Sequence, residues 1–440
     1  MSRDGRWIAF VDGSPGDIHV IGRDGRTAHR ITDHPAADYY PVWSPDGRHL
    51  AFLSDRGGGA GLWTVAIRDG QPSAEPMRIK DGMQGVYPVL GWTTRGLAYA
   101  QYQTTQDIYT VPVNPVSGEP NGSPRLIPYR RTGHNIEPEW SPDGKYLAFV
   151  SSFEPDRRAV VLLPSDGGEP REFPTPAVRL WDLRWFGDSR GLGITGHDAR
   201  GERMLFRLTL ATGEWKNFPL PFGDPGLQWN GMHFEWNADG TRYFYVWQDS
   251  WPGSYVAVVE RDLQSDRERV VFQTRAQVPN KYRGLRFSPD RRMLAFRGLG
   301  DQQRIVVLTI ETGETRVLHD KANGDTYSYT DTDSLAEPTW SPDGRALLVH
   351  RTENPRTDKQ TTVLRLIPID GGDVQRIAPG AELERLLAAR RGAARPTVST
   401  LAWSPDGSNV ALVLTASQVE TFVIENPLAR AGAADASARR

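Results

Sequence analysis

The chain of 440 residues contains no cysteine. Disulfides and thiolate chemistry are therefore excluded, and the redox state of its compartment leaves no mark on it. Nor does it carry an excess of charge: 52 basic residues face 54 acidic ones, a net charge of −2. Nucleic-acid binding rests on clustered Lys and Arg that neutralise phosphates, and beyond short pairs such as Arg130-Arg131 no such cluster stands out, so no nucleic-acid partner is expected. Apolar runs are short. None approaches the roughly 18 residues that a membrane-spanning helix needs. The opening Met1-Ser2-Arg3-Asp4-Gly5-Arg6-Trp7 also lacks the charged-then-apolar layout of a secretion signal. The nine histidines are scattered, with no i, i+4 or His-x-His pair, so no local metal site and no cofactor are expected.

Turn-forming and aromatic residues, by contrast, are plentiful. With 44 Gly, 33 Pro, 14 Trp, 14 Tyr and 15 Phe, the composition favours many short strands joined by tight turns, hence an all-β fold. One phrase recurs. Trp43-Ser44-Pro45-Asp46-Gly47 returns letter for letter from Trp140, Trp340 and Trp403. Degenerate copies begin at Trp92, Trp185, Trp236 and Phe287, and a partial copy, Ser2 to Gly5, opens the chain. The eight anchors stand at 43, 92, 140, 185, 236, 287, 340 and 403, so successive steps run from 45 to 63 residues. A supersecondary unit repeated every 40–50 residues or so, with one turn motif per unit, is the sequence pattern of a propeller.

The phrase has a physical reading. Pro presets φ for a type I turn, Asp tolerates the next position, and Gly accepts the positive φ that returns the chain to a strand. After each turn comes a run such as Leu50-Ala51-Phe52-Leu53 or Leu147-Ala148-Phe149-Val150, apolar at consecutive positions, so both faces of that strand must be covered. A third strand follows, for instance Gln106 to Val111, then an Asp-Gly or Thr-Gly turn and a short outer strand. Four strands per unit, each unit unable to bury its own faces, predict a single β-propeller of about eight four-stranded antiparallel blades.

On these motifs the sequence resembles the TolB-like, or PD40 (WD40-like), propeller repeat family, and the resemblance runs over roughly residues 3 to 425. The resemblance implies a non-catalytic scaffold that binds a protein or peptide through its ring face or central funnel, working as a monomer in the periplasm or another extracytoplasmic space. The family's other contexts imply the alternatives: the propeller of a prolyl-oligopeptidase-like peptidase without its hydrolase domain, or a propeller lyase or hydrolase with an active site shared between blades. TolB itself pairs a six-bladed propeller with an N-terminal α/β domain behind a signal peptide. This chain has more repeats and neither extra segment, so it resembles the repeat and not that protein.

The expected propeller spans 1–427. Its N-terminal piece, 6–31, reads as two middle strands and an outer one, and its C-terminal piece, 398–425, as an inner strand and two middle ones. Closure is expected where the outer strand near Ala28–Thr32 joins the C-terminal blade, leaving the hairpin 6–21 surplus. Because the chain opens inside a repeat, further sequence is expected upstream. A helical stretch at 381–391, with Leu383, Leu386 and Leu387 on one face, explains the longest step as an insertion packed on the ring. The Ala/Arg-rich end, 428–440, is expected to be a disordered tail.

Candidate binding residues stand three positions before the anchors, where inner strands begin near one mouth of the channel: Tyr40, Glu137, Asp182, His233 and Glu337. The bland reading is that every propeller has polar residues there. Gly187-Asp188-Ser189-Arg190-Gly191 matches the Gly-x-Ser-x-Gly nucleophile elbow, but it overlies the turn phrase with no helix after it and reads as a hairpin turn. Asp325 to Asp333, Arg356 to Gln360 and Trp247 to Trp251 sit in long connections and are candidates for a recognition rim.

Overall fold

A computed structural model of the chain describes all residues except 14–15, 57–59, 84–85, 155–156, 221–233, 249–254, 276–282, 298–304, 319–337, 354–360, 378–380, 389–395, 426 and 429–440.

The repeated phrase folds as one rigid turn wherever it occurs. At Trp43 the Ser44 hydroxyl donates to Asp46 Oδ1 (2.5 Å) and accepts the His49 N–H (2.9 Å). Asp46 Oδ1 also accepts the Arg48 N–H (3.0 Å), and Gly47 sits at φ +70°. The same serine–aspartate pair recurs at Ser141, Ser288, Ser341 and Ser404, with distances of 2.6–2.7 Å. Burial opposes ionisation of Asp46, Asp143, Asp343 and Asp406. The serine hydroxyl and the backbone N–H outweigh it and hold each carboxylate below its usual range. The proline of the phrase lacks an N–H, and the ladder bond Ser44 N–H to His49 O (2.9 Å) is made one residue earlier.

The turns join antiparallel strands into β-propeller sheets. One sheet runs Asn135–Trp140, Tyr146–Glu154, Arg157–Pro164, Arg171–Pro174 from inner to outer strand, and four more of the same order begin with Arg179–Trp185, Phe234–Trp236, Arg283–Phe287 and Thr339–Trp340. The second strands are buried on both faces, as their unbroken apolar runs require: Leu147, Ala148, Phe149 and Val150 are all within 2% of full burial. Cores form between sheets and not within them. Ala148, Val150, Val160 and Leu162 pack against Leu183, Trp185, Leu192 and Ile194 of the next sheet. Each such side chain taken from water contributes about 1.5–3 kcal/mol, which a single sheet has no way to collect.

The chain divides into two compact units, 1–104 with 417–440, and 105–416. In the larger unit a sixth sheet is completed by strands from both ends of the segment: Arg125–Leu126, the later part of Gly96–Pro112, the earlier part of Asn409–Ile424, and Thr397–Trp403. Inner strands then adjoin in cyclic order. Asn135–Trp140 lies beside both Arg179–Trp185 and Thr397–Trp403, and the remaining three complete the circle. The helix Ala381–Ala388 is the expected insertion; Leu383 and Leu387 bury against Ile377, Trp403 and Leu412. The smaller unit holds the three-stranded sheet Trp7–Asp12, Asp17–Gly22, Ala28–Arg30, the sheet Asp38–Trp43, His49–Ser54, Gly61–Arg68 with two short strands on its outer edge, and Val86–Thr93 against the start of Gly96–Pro112.

Closure differs from the sequence expectation. Ala28–Arg30 pairs with Asp17–Gly22, so the hairpin over 6–21 belongs to its own sheet and is not surplus. Thr397–Trp403 and Asn409–Ile424 complete a sheet with Gly96–Pro112 instead. The reason lies in two missing turns. Residues 97–111 and 410–424 were each expected to form two strands, yet neither Leu97–Gln106 nor Val410–Ile424 contains Gly, Pro, Asn or Asp. Each segment therefore continues as one strand, of 17 and 16 residues, and contributes one part to each unit.

Candidate functional site

Within the larger unit, the residues immediately before the anchors gather where the inner strands adjoin, four of them by ion pairs and two as lining of the same cleft. Reading round, these are Glu139, Arg184, Glu235, Arg286, Thr339 and Ala402. Four successive sheets thus present alternating charge. Arg286 Nη1 lies 3.8 Å from both Glu139 Oε1 and Glu235 Oε1, and Arg184 Nε lies 3.4 Å from Glu235 Oε1. Arg184 also pairs tightly with Asp182. Arg184 and Asp182 are each 1% exposed, Glu235 6%, Arg286 10% and Glu139 21%, so exposure rises toward Glu139.

A cleft of about 350 Å³ opens over this floor. Its walls are Trp140, Trp185, Trp340, Trp403 and Phe287, and its rim carries the turn prolines Pro142, Pro289, Pro342 and Pro405. The repeated phrase therefore builds the site: the residue before the aromatic forms the floor, the aromatic the wall, and the proline the rim. The tryptophans also tie sheet to sheet. Trp185 Nε1 donates to Glu139 O (3.0 Å), Trp340 Nε1 to Arg286 O (3.0 Å) and Trp140 Nε1 to Ala402 O (3.3 Å). Phe287 has no such donor, and Arg291 Nη1 bonds Trp236 O (2.5 Å) in its place.

Burial pushes the Glu139 carboxyl up to about 7. Arg184 and Arg286 work against that shift, Glu235 adds to it, and the Trp185 N–H (3.1 Å to Oε2) opposes it.

Of the five candidates read from the sequence, Asp182 is the one the structure brings into this cluster. His233 and Glu337 lie outside the described residues. Tyr40 belongs to the smaller unit, where it is 37% exposed and stands edge-on to Tyr39 at 5.5 Å. Glu137 sits on a bulge. Ile136 opposes Val150 and Glu139 opposes Ala148, so Ile136, and not Glu137, shares a face with Glu139. Glu137 and Tyr40 both take left-handed φ values there, 54° and 56°. In the next sheet the register shift falls one residue earlier, between Leu180 and Asp182, so Asp182 and Arg184 do share a face. Sequence reasoning missed Glu139, Arg184, Glu235 and Arg286. Their alternating charge one residue before successive anchors was the signal that would have found them.

The Gly-x-Ser-x-Gly match is a turn: Ser189 has φ 60° and its Oγ accepts the Asp143 N–H at 3.1 Å. Asp325 to Asp333 and Arg356 to Gln360 lie outside the described residues, as do the last three residues of Trp247 to Trp251. Among the described residues, no group of three His, Asp or Glu is placed to hold a metal ion, and no helix is long and apolar enough to cross a membrane.

No protein-family model matches the chain. It is 31% identical over 154 residues to an uncharacterised peptidase, YuxL, of Bacillus subtilis, covering 34% of this chain and 21% of that one. It is 29% identical over 149 residues to a TolB homologue of Chlorobium luteolum, covering 33% and 31% respectively. The matched stretch thus spans less than a third of the length of either relative. Among solved structures it is similar to TolB from Acinetobacter baumannii, with 13% identity, a TM-score of 0.42, and coverage of 88% of this chain and 80% of that one.

Proposed function

Because the chain carries repeats of the TolB-like propeller family, we propose that it is a non-catalytic binding platform that takes a segment of a protein or peptide partner at the mouth of its larger unit. One observation carries this reading. Six sheets converge on a cleft whose walls are aromatic and proline side chains and whose floor alternates acid and base. Aromatic anchoring area around a few fixed charges is the composition of recognition surfaces, and a cleft of about 350 Å³ has room for a few side chains.

A peptide-display library panned against the full chain tests the reading, with Arg286→Glu as counter-selection. Enriched sequences that lose at least tenfold in affinity for the variant support it. No enrichment over bare support, or equal binding to the variant, overturns it. The likeness to the Bacillus subtilis peptidase supports a second reading, in which the same mouth admits peptide to a peptidase; cleavage of the enriched peptides by a hydrolase-bearing relative, at sites protected by this chain, would favour it.

A further inference from the structure

We propose that the Arg291 guanidinium, seated on the wall of the cleft, receives a carboxylate of the bound partner, from an acidic side chain or a free chain end. The inference rests on the binding-platform reading and names the group that the platform recognises.

Arg291 stands where the repeated phrase calls for glycine. Round the ring the turn closes on Gly144, Gly240, Gly344 and Gly407, at φ between 67° and 76°. Arg291 takes the same left-handed backbone, φ 58°, which strains a residue with a side chain and not a glycine. Ser189, the other exception, uses its side chain to accept the Asp143 N–H. Arg291 uses its own differently. The guanidinium reaches to the neighbouring sheet, donates from Nη1 to Trp236 O, and places Cζ 5.1 Å from the centre of the Phe287 ring. Gly187 lies against it and leaves the room it needs: a Cβ there would come within 2.4 Å of Arg291 Nε and 2.6 Å of Cζ. One carbonyl, one ring and one glycine thus fix the group among the residues that line the cleft.

Fixed there, it is under-used. One N–H is spent on Trp236 O; among the described residues the others meet no acceptor, and no carboxylate pairs with the guanidinium. Arg291 is also half-buried, so water answers those donors only in part. The other charges lining the cleft are engaged. Arg286 stands 3.8 Å from both Glu139 and Glu235. Asp290 accepts the Ser288 hydroxyl (2.6 Å) and the Arg292 N–H (3.1 Å), which hold its carboxylate below the usual range. A planar fork with open donors, stacked on a ring, is suited to a carboxylate, which takes two parallel N–H···O bonds from it.

The test uses the full chain and pools of octapeptides, random over uncharged residues except for one central Glu, Gln or Lys. Each pool is made with an amidated and with a free C-terminus, and binding is followed by tryptophan emission. Against the amidated Gln pool, the amidated Glu pool or the free-ended Gln pool should bind about tenfold tighter, the size of a charge-assisted pair. Arg291→Gly, which restores the residue the turn prefers, should abolish that preference while the amidated Gln pool binds as before. Arg291→Lys keeps the charge but not the fork and should lose most of the preference; it serves if Arg291→Gly fails to fold. A preference that survives in Arg291→Gly, or equal weakening of every pool, makes Arg291 a tie between sheets and overturns the inference. Equal binding of all pools to the wild type, or tightest binding of the Lys pool, also overturns it and leaves the platform reading intact. Binding of no pool overturns both.

Discussion

Replacing Glu139 by glutamine should change how stability depends on pH. Glutamine keeps the shape and an acceptor for the Trp185 N–H, but removes the titrating proton. The Glu139 carboxyl rises from 4.5 to about 7 on folding, first because of burial and then because of Glu235. Between those values the folded state binds more protons at this position than the unfolded chain does. Stability from this group is therefore fully present below pH 4.5 and declines as pH rises through about 7. At 1.36 kcal/mol per pH unit, an interval of roughly 2.5 units sets a ceiling of about 3 kcal/mol. Glu139 and Glu235 share one guanidinium and hence part of the proton affinity, which brings the expected value nearer 1–2 kcal/mol. Urea unfolding followed by tryptophan emission, on wild type and variant at half-unit steps from pH 4.5 to 8.5, gives the difference curve. Other titrating groups cancel in it. The wild-type value should fall relative to the variant by that amount across the interval. Parallel curves would show that burial does not perturb Glu139 and would refute the account of the floor.

Three further changes probe how the sheets are held. Trp185→Phe deletes the indole N–H that reaches Glu139 O and should cost about 1–2 kcal/mol in urea unfolding, whereas the same change at Trp236, whose indole meets no such carbonyl, should cost less. Gly193→Ala places a Cβ 2.6 Å from the Trp236 ring, so a loss of about 1–3 kcal/mol is expected, and an unchanged midpoint would contradict that packing. Asp143→Ala removes the acceptor for both the Ser141 hydroxyl and the Lys145 N–H, and about 1 kcal/mol should be lost at pH 7. Because Asp143 is held below its usual range when folded, that loss should begin to shrink below pH 3.8 and be gone once pH has passed the lower folded value, a trend opposite to that of Glu139.

The comparison between sequence and structure is instructive at the bulges. Glu137 was a candidate because it stands where its inner strand begins, three positions before the anchor, and regular alternation would place it on the face of Glu139. The extra residue at Glu137 breaks the alternation, and the left-handed φ of 54° there has no distinctive residue type to announce it. At Gly284, with φ 77° at the equivalent place before Phe287, the residue type does announce it. Asp182 lies on the face of Arg184 because its strand shifts register one residue earlier.

By itself the sequence determined these local features: the all-β composition, the serine–aspartate turn, the doubly covered second strands, and the Leu383 and Leu387 face of the helix. These follow from φ preferences and apolar patterning within a few residues, which any chain carries wherever it folds. Tertiary structure decided what depends on distant partners. It chose which strands complete the sixth sheet of the larger unit, and it gathered Glu139, Arg184, Glu235 and Arg286 from four repeats onto one floor. A strand edge accepts any antiparallel partner of matching length, and a single charged residue before an aromatic looks like surface, until the ring of inner strands brings the four together.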